Sequence, residues 1–248
     1  MIPANRVPRG SRPMKVSVIV PALNEEAAIG GTLRAAREAG ADELIVADGG
    51  SEDRTREAAD GIADAVVATA PGRALQMNAG ARVSTGEALL FLHADTALPP
   101  GSVEAVRSAL ADPGISGGAF RVRLGISPNA PFARRVALRI TGRMITFRSL
   151  LFRTYTGDQA IFLRRELFDR IGGYPEIPLM EDVELSRAMA RSGRTVLLAQ
   201  RVVTSARRWE AHGAARTILT MWFLRIAHRL GMSPAACARI YRSRREPR

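Results

Sequence analysis

The chain offers little of what most often signals a mechanism. It has one cysteine, Cys237, among 248 residues, which excludes a disulfide framework and a cysteine-based zinc site and fits a cytosolic compartment. No stretch reaches the ~20 consecutive apolar residues of a spanning helix. Residues 1–13 lack the apolar centre of a signal peptide and read as a loose extension, with the fold expected to start near Met14. No G-x-G-x-x-G and no Walker A sequence follows the first apolar run, which argues against a dinucleotide dehydrogenase and a P-loop phosphotransferase. There is no internal repeat and no low-complexity tract.

Lysine is almost absent too: Lys15 stands alone, so the net charge of +12 is carried by arginine. Such a skew also follows from codon bias, so each arginine is not by itself a binding residue. Its distribution is informative. Residues 121–153 hold eight arginines and no acid, and residues 201–248 hold eleven against Glu210 and Glu246. Two basic segments suit an anionic partner such as phosphates, anionic lipid or nucleic acid, or else form a solvated basic face. Apolar residues make up 46%, enough for a globular chain with a substantial core.

Short β-branched runs alternate with helical stretches through the first half. KVSVIV (15–20), ELIVAD (43–48), AVVAT (65–69) and EALLFLHAD (87–95) read as strands, with helices between them. That alternation implies an α/β fold built on a mostly parallel, Rossmann-like sheet, and ligands in such sheets sit at the carboxyl ends of strands. The polar residues gather there: Asn24 and Glu25 after the first strand, Asp48 after the second, His93 and Asp95 after the fourth. Ser51 is the expected cap of the following helix, leaving Asp48 free for a ribose or base edge. In the second half, residues 115–124 alternate like a half-exposed strand and 131–153 read as a basic amphipathic helix. A strand and helix follow in 157–175, an acid-started helix in 181–193, two strand-like runs in 194–209, and terminal helices in 214–230 and 233–242.

Five segments, in order, resemble the family 2 glycosyltransferases, which have the GT-A fold. Val20-Pro21-Ala22-Leu23-Asn24-Glu25 matches the family's V-P-x-x-N-E. Ala47 through Thr55 matches D-D-G-S-x-D-x-T, with Ala47 in place of the first acid and one extra small residue. Gly72, Asn78 and Gly80 match a G-x-x-x-x-x-N-x-G helix start. His93-Ala94-Asp95 falls on the D-x-D metal motif, and Gly172-Gly173-Tyr174 with Glu181, Asp182 and Arg187 matches the later G-G-Y/F…E-D stretch. LHADT and SARRWEAHG, followed by an apolar helix, are similar to a small bacterial subgroup labelled for arsenosugar biosynthesis and associated with radical-SAM or selenium-related genes. The resemblance implies a GT-A domain over 14–210 and a helical extension over 211–248.

It also implies an inverting transfer from a UDP- or GDP-linked sugar, with Mn²⁺ or Mg²⁺, and Asp182 as general base. The expected donor-nucleotide residues are Pro21, Ala22, Asn24, Glu25, Asp48, Gly49, Gly72, Arg73, Asn78, His93 and Ala94. Gly157, Asp158, Gln159, Glu181, Arg207, Arg208 and Trp209 are expected at the acceptor or the diphosphate. Asp95 is the expected metal ligand. His212 is open between the metal shell and the diphosphate, and His93 between the metal and a hydrogen bond to ribose or backbone. His228 reads as surface. The basic helices 131–153 and 214–230 are open to two readings: contact with an anionic membrane at its inner face, or packing on the core or on a second copy as a homodimer. Nucleic acid is not an expected partner. Two rivals remain: a sugar-phosphate nucleotidyltransferase, which normally has a Gly-rich loop that Pro21–Glu25 lacks, and a basic binding module for nucleic acid or membrane, which leaves the ordered acids unexplained.

Overall fold

The structure, a computed structural model, describes residues 12–126, 129–207 and 214–243. The first half is three strand–helix units and a fourth strand. These are β1 (Val16–Ala22), α1 (Ile29–Glu38), β2 (Glu43–Asp48), α2 (Thr55–Ala59), β3 (Ala65–Ala68), α3 (Arg73–Val83) and β4 (Ala88–Phe91). Then come β5 (Thr96–Ala97), α4 (Ser102–Leu110), β6 (Ile115–Gly125), α5 (Phe132–Phe152) and a 3₁₀ turn at Gly157–Gln159. The chain continues through β7 (Ile161–Arg164), α6 (Arg165–Arg170), α7 (Glu181–Ser192) and β8 (Arg194–Ser205), with α8 (Ala214–Arg229) and α9 (Pro234–Ser243) last.

One sheet runs β3-β2-β1-β4-β7-β6-β8-β5. β3, β2, β1 and β4 are mutually parallel, β7 is antiparallel to both its neighbours, and β8 is parallel to β6. The chain leaves β1 towards β2 and β3, then returns to β4 on the other side of β1, so the strand order reverses between β1 and β4.

β1 is buried on both faces, and its alternate side chains serve two cores. Val16, Val18 and Val20 pack with Ile29 and Leu33 of α1 and Val103 and Val106 of α4. Ile19 packs on the other face with Met77 of α3 and with Phe91, Phe168 and Leu185. Gly80 has to be small here: a Cβ would stand 2.5 Å from Ile19 Cγ2, so its absence lets α3 lie close on the sheet.

Several expectations are corrected. The fourth strand stops at Phe91, not Asp95: Leu92 donates its N–H to Ile19 as the ladder ends, and the Thr96 N–H closes a turn on the His93 carbonyl. β6 is buried through its first six residues rather than half-exposed, because β7 and β8 flank it at Gly117 and Gly118. The two runs of 194–205 are one strand, interrupted by a register shift opposite Phe120–Arg121. His228 is not a surface residue: its Nε2 lies 2.9 Å from Glu184 and its Nδ1 3.2 Å from the Met232 carbonyl. The terminal helices are tied to α7 through Leu224, Cys237, Met180 and Val183.

The amino ends of β1 and β2 are joined by Glu43. It accepts hydrogen bonds from the Ser17 hydroxyl, from the Thr85 N–H at 2.7 Å and hydroxyl at 2.8 Å, and from Lys15 at 3.3 Å. Burial raises its pKa, but these donors overcome that and hold it at about 2. A carboxylate depressed in the folded state contributes stability that is present above its unfolded pKa of roughly 4.3 and lost as pH falls towards the folded value. Glu43→Gln should therefore cost about 2–3 kcal/mol at neutral pH, since each unit is worth about 1.4 kcal/mol. In denaturant unfolding, the gap from wild type should shrink between about pH 4.3 and 2.

Candidate active site

A cavity of about 400 Å³ lies where the strand order reverses, the usual ligand position in such sheets. Pro21, Ala22, Leu23 and Glu25 reach it from the end of β1, and Gly72, Arg73 and Gln76 from the start of α3. His93, Ala94 and Asp95 enter after β4, Asp158 from the 3₁₀ turn, and Thr204 and Ser205 from the end of β8. A larger groove of about 600 Å³ runs between α5 and the β6–β8 strands, lined by Arg121, Arg123, Arg135, Arg139, Arg143 and Arg201. Among the described residues its lining holds no carboxylate and none of the strand-end motifs, so the smaller cavity is the candidate site.

Four expected donor residues shape the cavity without lining it. Asp48 is fully buried. Its carboxylate accepts the Gly50 and Ser51 N–H groups at 3.2 and 3.1 Å and Arg56 Nε at 2.8 Å. Burial raises its pKa, but the Ser51 hydrogen bonds and the Arg56 charge outweigh that and hold it below the usual carboxylate range. Ser51 does not cap α2, contrary to expectation. Its hydroxyl accepts the Asn24 N–H at 3.0 Å, while Asn24 Oδ1 accepts the Glu52 N–H at 2.9 Å. Asn24 has φ 54°, a left-handed conformation that asparagine tolerates, and it clasps the β1 end to the loop after β2. Asn78 exchanges two 2.9 Å bonds with the backbone of Tyr174, tying α3 to the Gly-Gly-Tyr turn. At Gly49 a Cβ would meet Gln76 Nε2 at 2.9 Å.

Gln76 is a residue the sequence motifs passed over. It is buried, and its Nε2 donates to the carbonyls of Ala22 (2.7 Å) and Ala47 (3.0 Å). It satisfies two carbonyls where β1 and β2 end. Its place one turn into α3, in a run of small and apolar residues, is the only sequence signal for it. Thr204 and Ser205 were also missed, because β8 lies far along the chain and meets β5 only in the fold: the Thr96 hydroxyl donates to Thr204 at 2.9 Å.

The second half supplies the other wall. Gln159 is buried within the fold, bonded to Ser149 (2.8 Å) and the Phe120 carbonyl (3.2 Å), so it holds the 3₁₀ turn from beneath and does not line the cavity. The turn presents Gly157 against His93, where a Cβ would stand 2.1 Å from Nε2. His93 Nδ1 lies 3.3 Å from Asp158, so the imidazole faces the 3₁₀ turn and not Asp95. The Gly157 N–H donates to Asp182 Oδ2 at 3.0 Å, and the Val183 N–H donates to Oδ1 at 2.7 Å. Glu181 beside it is buried. Burial first, then the Asp182 charge, raises its pKa against the opposing charges of Arg73 and His93. Arg207 bridges the two cavity acids, Glu25 at 2.6 Å and Asp95 at 3.2 Å. The expected contacts of Arg208, Trp209 and His212 lie outside the described residues.

Residues 17–172 match the family model described as Glycosyl transferase family 2. A search of curated proteins finds no match. Among solved structures, the mannosyltransferase PcManGT from Pyrobaculum calidifontis, in complex with GDP-Man and Mn²⁺, is 21% identical with a TM-score of 0.62, over 98% of this chain and 72% of that one. S. aureus TarS 1–349 is 19% identical with a TM-score of 0.59, over 78% of this chain, which spans only 61% of that one. Glucosyl-3-phosphoglycerate synthase from Mycobacterium tuberculosis, with Mn²⁺, UDP and phosphoglyceric acid, is 23% identical with a TM-score of 0.54, over 77% and 69% of the two chains. Identities this low carry the fold alone. The family model carries more, because it runs from β1 through α6 and takes in the switch point and the acids around it: the chain belongs to glycosyltransferase family 2 and has the GT-A fold.

Proposed function

We propose that the protein transfers a sugar from a UDP- or GDP-linked donor to an acceptor hydroxyl, with inversion and with a divalent cation. The observation that carries this reading is the convergence of Glu25, His93, Asp95 and Asp158 on one cavity at the switch point, with Asp182 bonded to the turn that carries Asp158. Structures of similar fold bind GDP-Man with Mn²⁺, UDP-GlcNAc, or UDP with Mn²⁺.

Asp95 is a part-exposed carboxylate at the cavity. Among the described residues no group of three His, Cys, Asp or Glu side chains converges to hold an ion. A single carboxylate fits Mn²⁺ or Mg²⁺ arriving with the donor, since such ions take their remaining ligands from phosphate oxygens and water. A cation there would neutralise charge building on the diphosphate. It would also have to displace the Arg207–Asp95 contact, and the freed guanidinium suits phosphate oxygens through its bidentate fork. His93, held on Asp158, serves the sugar or ribose side of the cavity. The free N–H groups of the first turn of α3, which starts at Gly72 in the cavity wall, suit the diphosphate.

The acceptor hydroxyl attacks the anomeric carbon and gives its proton to Asp182. The bond from that carbon to the β-phosphate oxygen breaks, and its electron pair leaves on the diphosphate. Asp182 receives one backbone N–H on each oxygen, which fixes its orientation and leaves a lone pair on each for the proton.

A second feature lies on α5 and α8. α5 exposes Phe147, Leu150, Leu151 and Phe152, and α8 exposes Trp222, Phe223 and Ile226, while arginines of both helices line neighbouring cavities. No helix among the described residues is long and apolar enough to cross a membrane. Exposed apolar and cationic groups side by side suit the surface of an anionic bilayer.

Three measurements check these assignments. In a thermal-shift panel of UDP, GDP and their sugars, Mn²⁺ should raise the Tm with one nucleotide, and Asp95→Asn should abolish the metal-dependent part. Unchanged Mn²⁺-dependent affinity would remove Asp95 from the metal site. Asp182→Asn keeps the Gly157 hydrogen bond through its amide oxygen, and single-turnover transfer should slow by roughly 10²–10⁴-fold with donor affinity unchanged. A wild-type rate would exclude it as base. The protein should also sediment with anionic vesicles at low salt and be released as salt rises. No sedimentation would count against a peripheral membrane role and favour a soluble acceptor.

A further inference from the structure

A third cavity, of about 280 Å³, lies between α5, α7 and α8. Its wall is of two kinds: Phe152, Val183, Trp222 and Ile226 are apolar, while Arg148, Arg187, Arg225 and Arg229 are cationic. Arg187 is neutralised by Glu184 at 2.5 Å. Arg148 and Arg225 are not: each buries an Nε with no hydrogen-bond partner among the described residues. Arg148 otherwise reaches only neutral oxygens, of Ser149, Thr156 and Gln159, at 3.3–3.5 Å. Burial, then the charge of Arg225, brings the Arg148 pKa down to about 9. Two part-buried guanidiniums that repel each other, each with a buried and unmet Nε donor, carry a cost in stability that an anion bound between them would offset.

The cavity has a position as well as a chemistry. Val183, in its wall, follows Asp182 directly. The carboxylates of Asp182 and Asp158 are close enough to both buried arginines for their charges to act on them. Asp158 also lines the donor cavity. The two cavities share no lining residue, and Asp182 stands between them: it accepts the Val183 N–H from this wall and the Gly157 N–H from the turn that carries Asp158. The outer rim is exposed and apolar: Phe152, Trp222 and Ile226 are each about half exposed, beside Leu150 and Leu151.

We infer that this cavity is the acceptor subsite, and that it takes an anionic, hydroxyl-bearing lipid whose phosphate or carboxylate lies between Arg148 and Arg225 while its chain leaves over the Phe152–Trp222–Ile226 rim into the membrane. The inference rests on the glycosyltransferase reading for the word acceptor, but the binding it requires does not. The arginines are positioning residues. Charge-assisted hydrogen bonds hold the anion, and the hydroxyl beside it faces Asp182. A lipid held this way needs no soluble carrier, because the rim is continuous with the exposed face of α5 and α8.

Binding to the wild-type protein can be followed by titration calorimetry with a short-chain phosphatidic acid below its micelle concentration, with the phosphatidylcholine of equal chain length, and with inorganic phosphate. The anionic lipid should bind at least tenfold more tightly than either of the others. Arg148→Met and Arg225→Met, singly, should each weaken it tenfold or more while UDP or GDP affinity with Mn²⁺ stays at the wild-type value. Equal binding of the choline lipid would overturn the anion site, and equal binding of phosphate would overturn the lipid. Full binding by a folded arginine variant would remove the pair from it. If neither variant folds, the anionic-to-choline ratio in the wild-type protein decides alone. Lipid binding without any nucleotide binding would leave this site standing and defeat the glycosyltransfer reading; nucleotide binding without lipid binding would do the reverse.

Discussion

The Gly157–Gln159 turn joins the two halves of the molecule at the proposed reaction centre: Gly157 packs against His93 of the parallel half, and its N–H donates to Asp182 at the start of α7. The parallel half ends in His93, which packs against Gly157 and faces Asp158. The second half supplies Asp182 at the start of α7 and holds the turn from behind, with the Ser186 hydroxyl bonded at Tyr155 and Gln159 buried beneath. Only a residue without a Cβ lets the imidazole and the backbone donor meet so closely. The proposed base, the His93–Asp158 pair and the floor of the donor cavity thus share one support, and a shift in any of them reaches the others.

Charge is arranged around that support in two zones. The donor cavity carries the acids: Glu25 and Asp95 at strand ends, bridged by Arg207 from the far end of β8. Behind Asp182 the sign reverses. Arg148 and Arg225 each keep a buried Nε without a hydrogen-bond partner and form no ion pair among the described residues, while the charges of Asp158 and Asp182 act on them. A negatively charged donor that brings its own cation suits the acidic zone, and an acceptor with an anionic group suits the basic one. Asp182, the proposed base, stands between them, bonded to Gly157 on one side and Val183 on the other.

Much of this was legible in the residues. The β-branched runs separated by helical spacing foretold the parallel half, because strand and helix periods differ and each is written locally. The motif order foretold the family, and the strand-end positions of Glu25, His93 and Asp95 foretold which residues share a cavity, since parallel strands bring their carboxyl ends together. Helices 132–152 and 214–229 were legible for the same local reason.

What the residues could not say alone is which polar groups are already engaged. Asp48, Asn24 and Asn78 carry family-matched positions, yet the fold uses them to tie loops together, through partners up to 96 positions away. Gln76 and Thr204 matter because of neighbours that only the closed sheet provides. The basic helices had two sequence readings, and only packing showed that α5 and α8 bring two arginines under cover while leaving aromatic and aliphatic side chains outside. Local periodicity and motif order are properties of contiguous residues, so the sequence by itself determined most of the elements, the family and the strand ends that line the cavity. Burial and hydrogen-bond satisfaction depend on groups distant in the chain, so only the tertiary structure decided which of those side chains hold the scaffold and which remain open to a ligand.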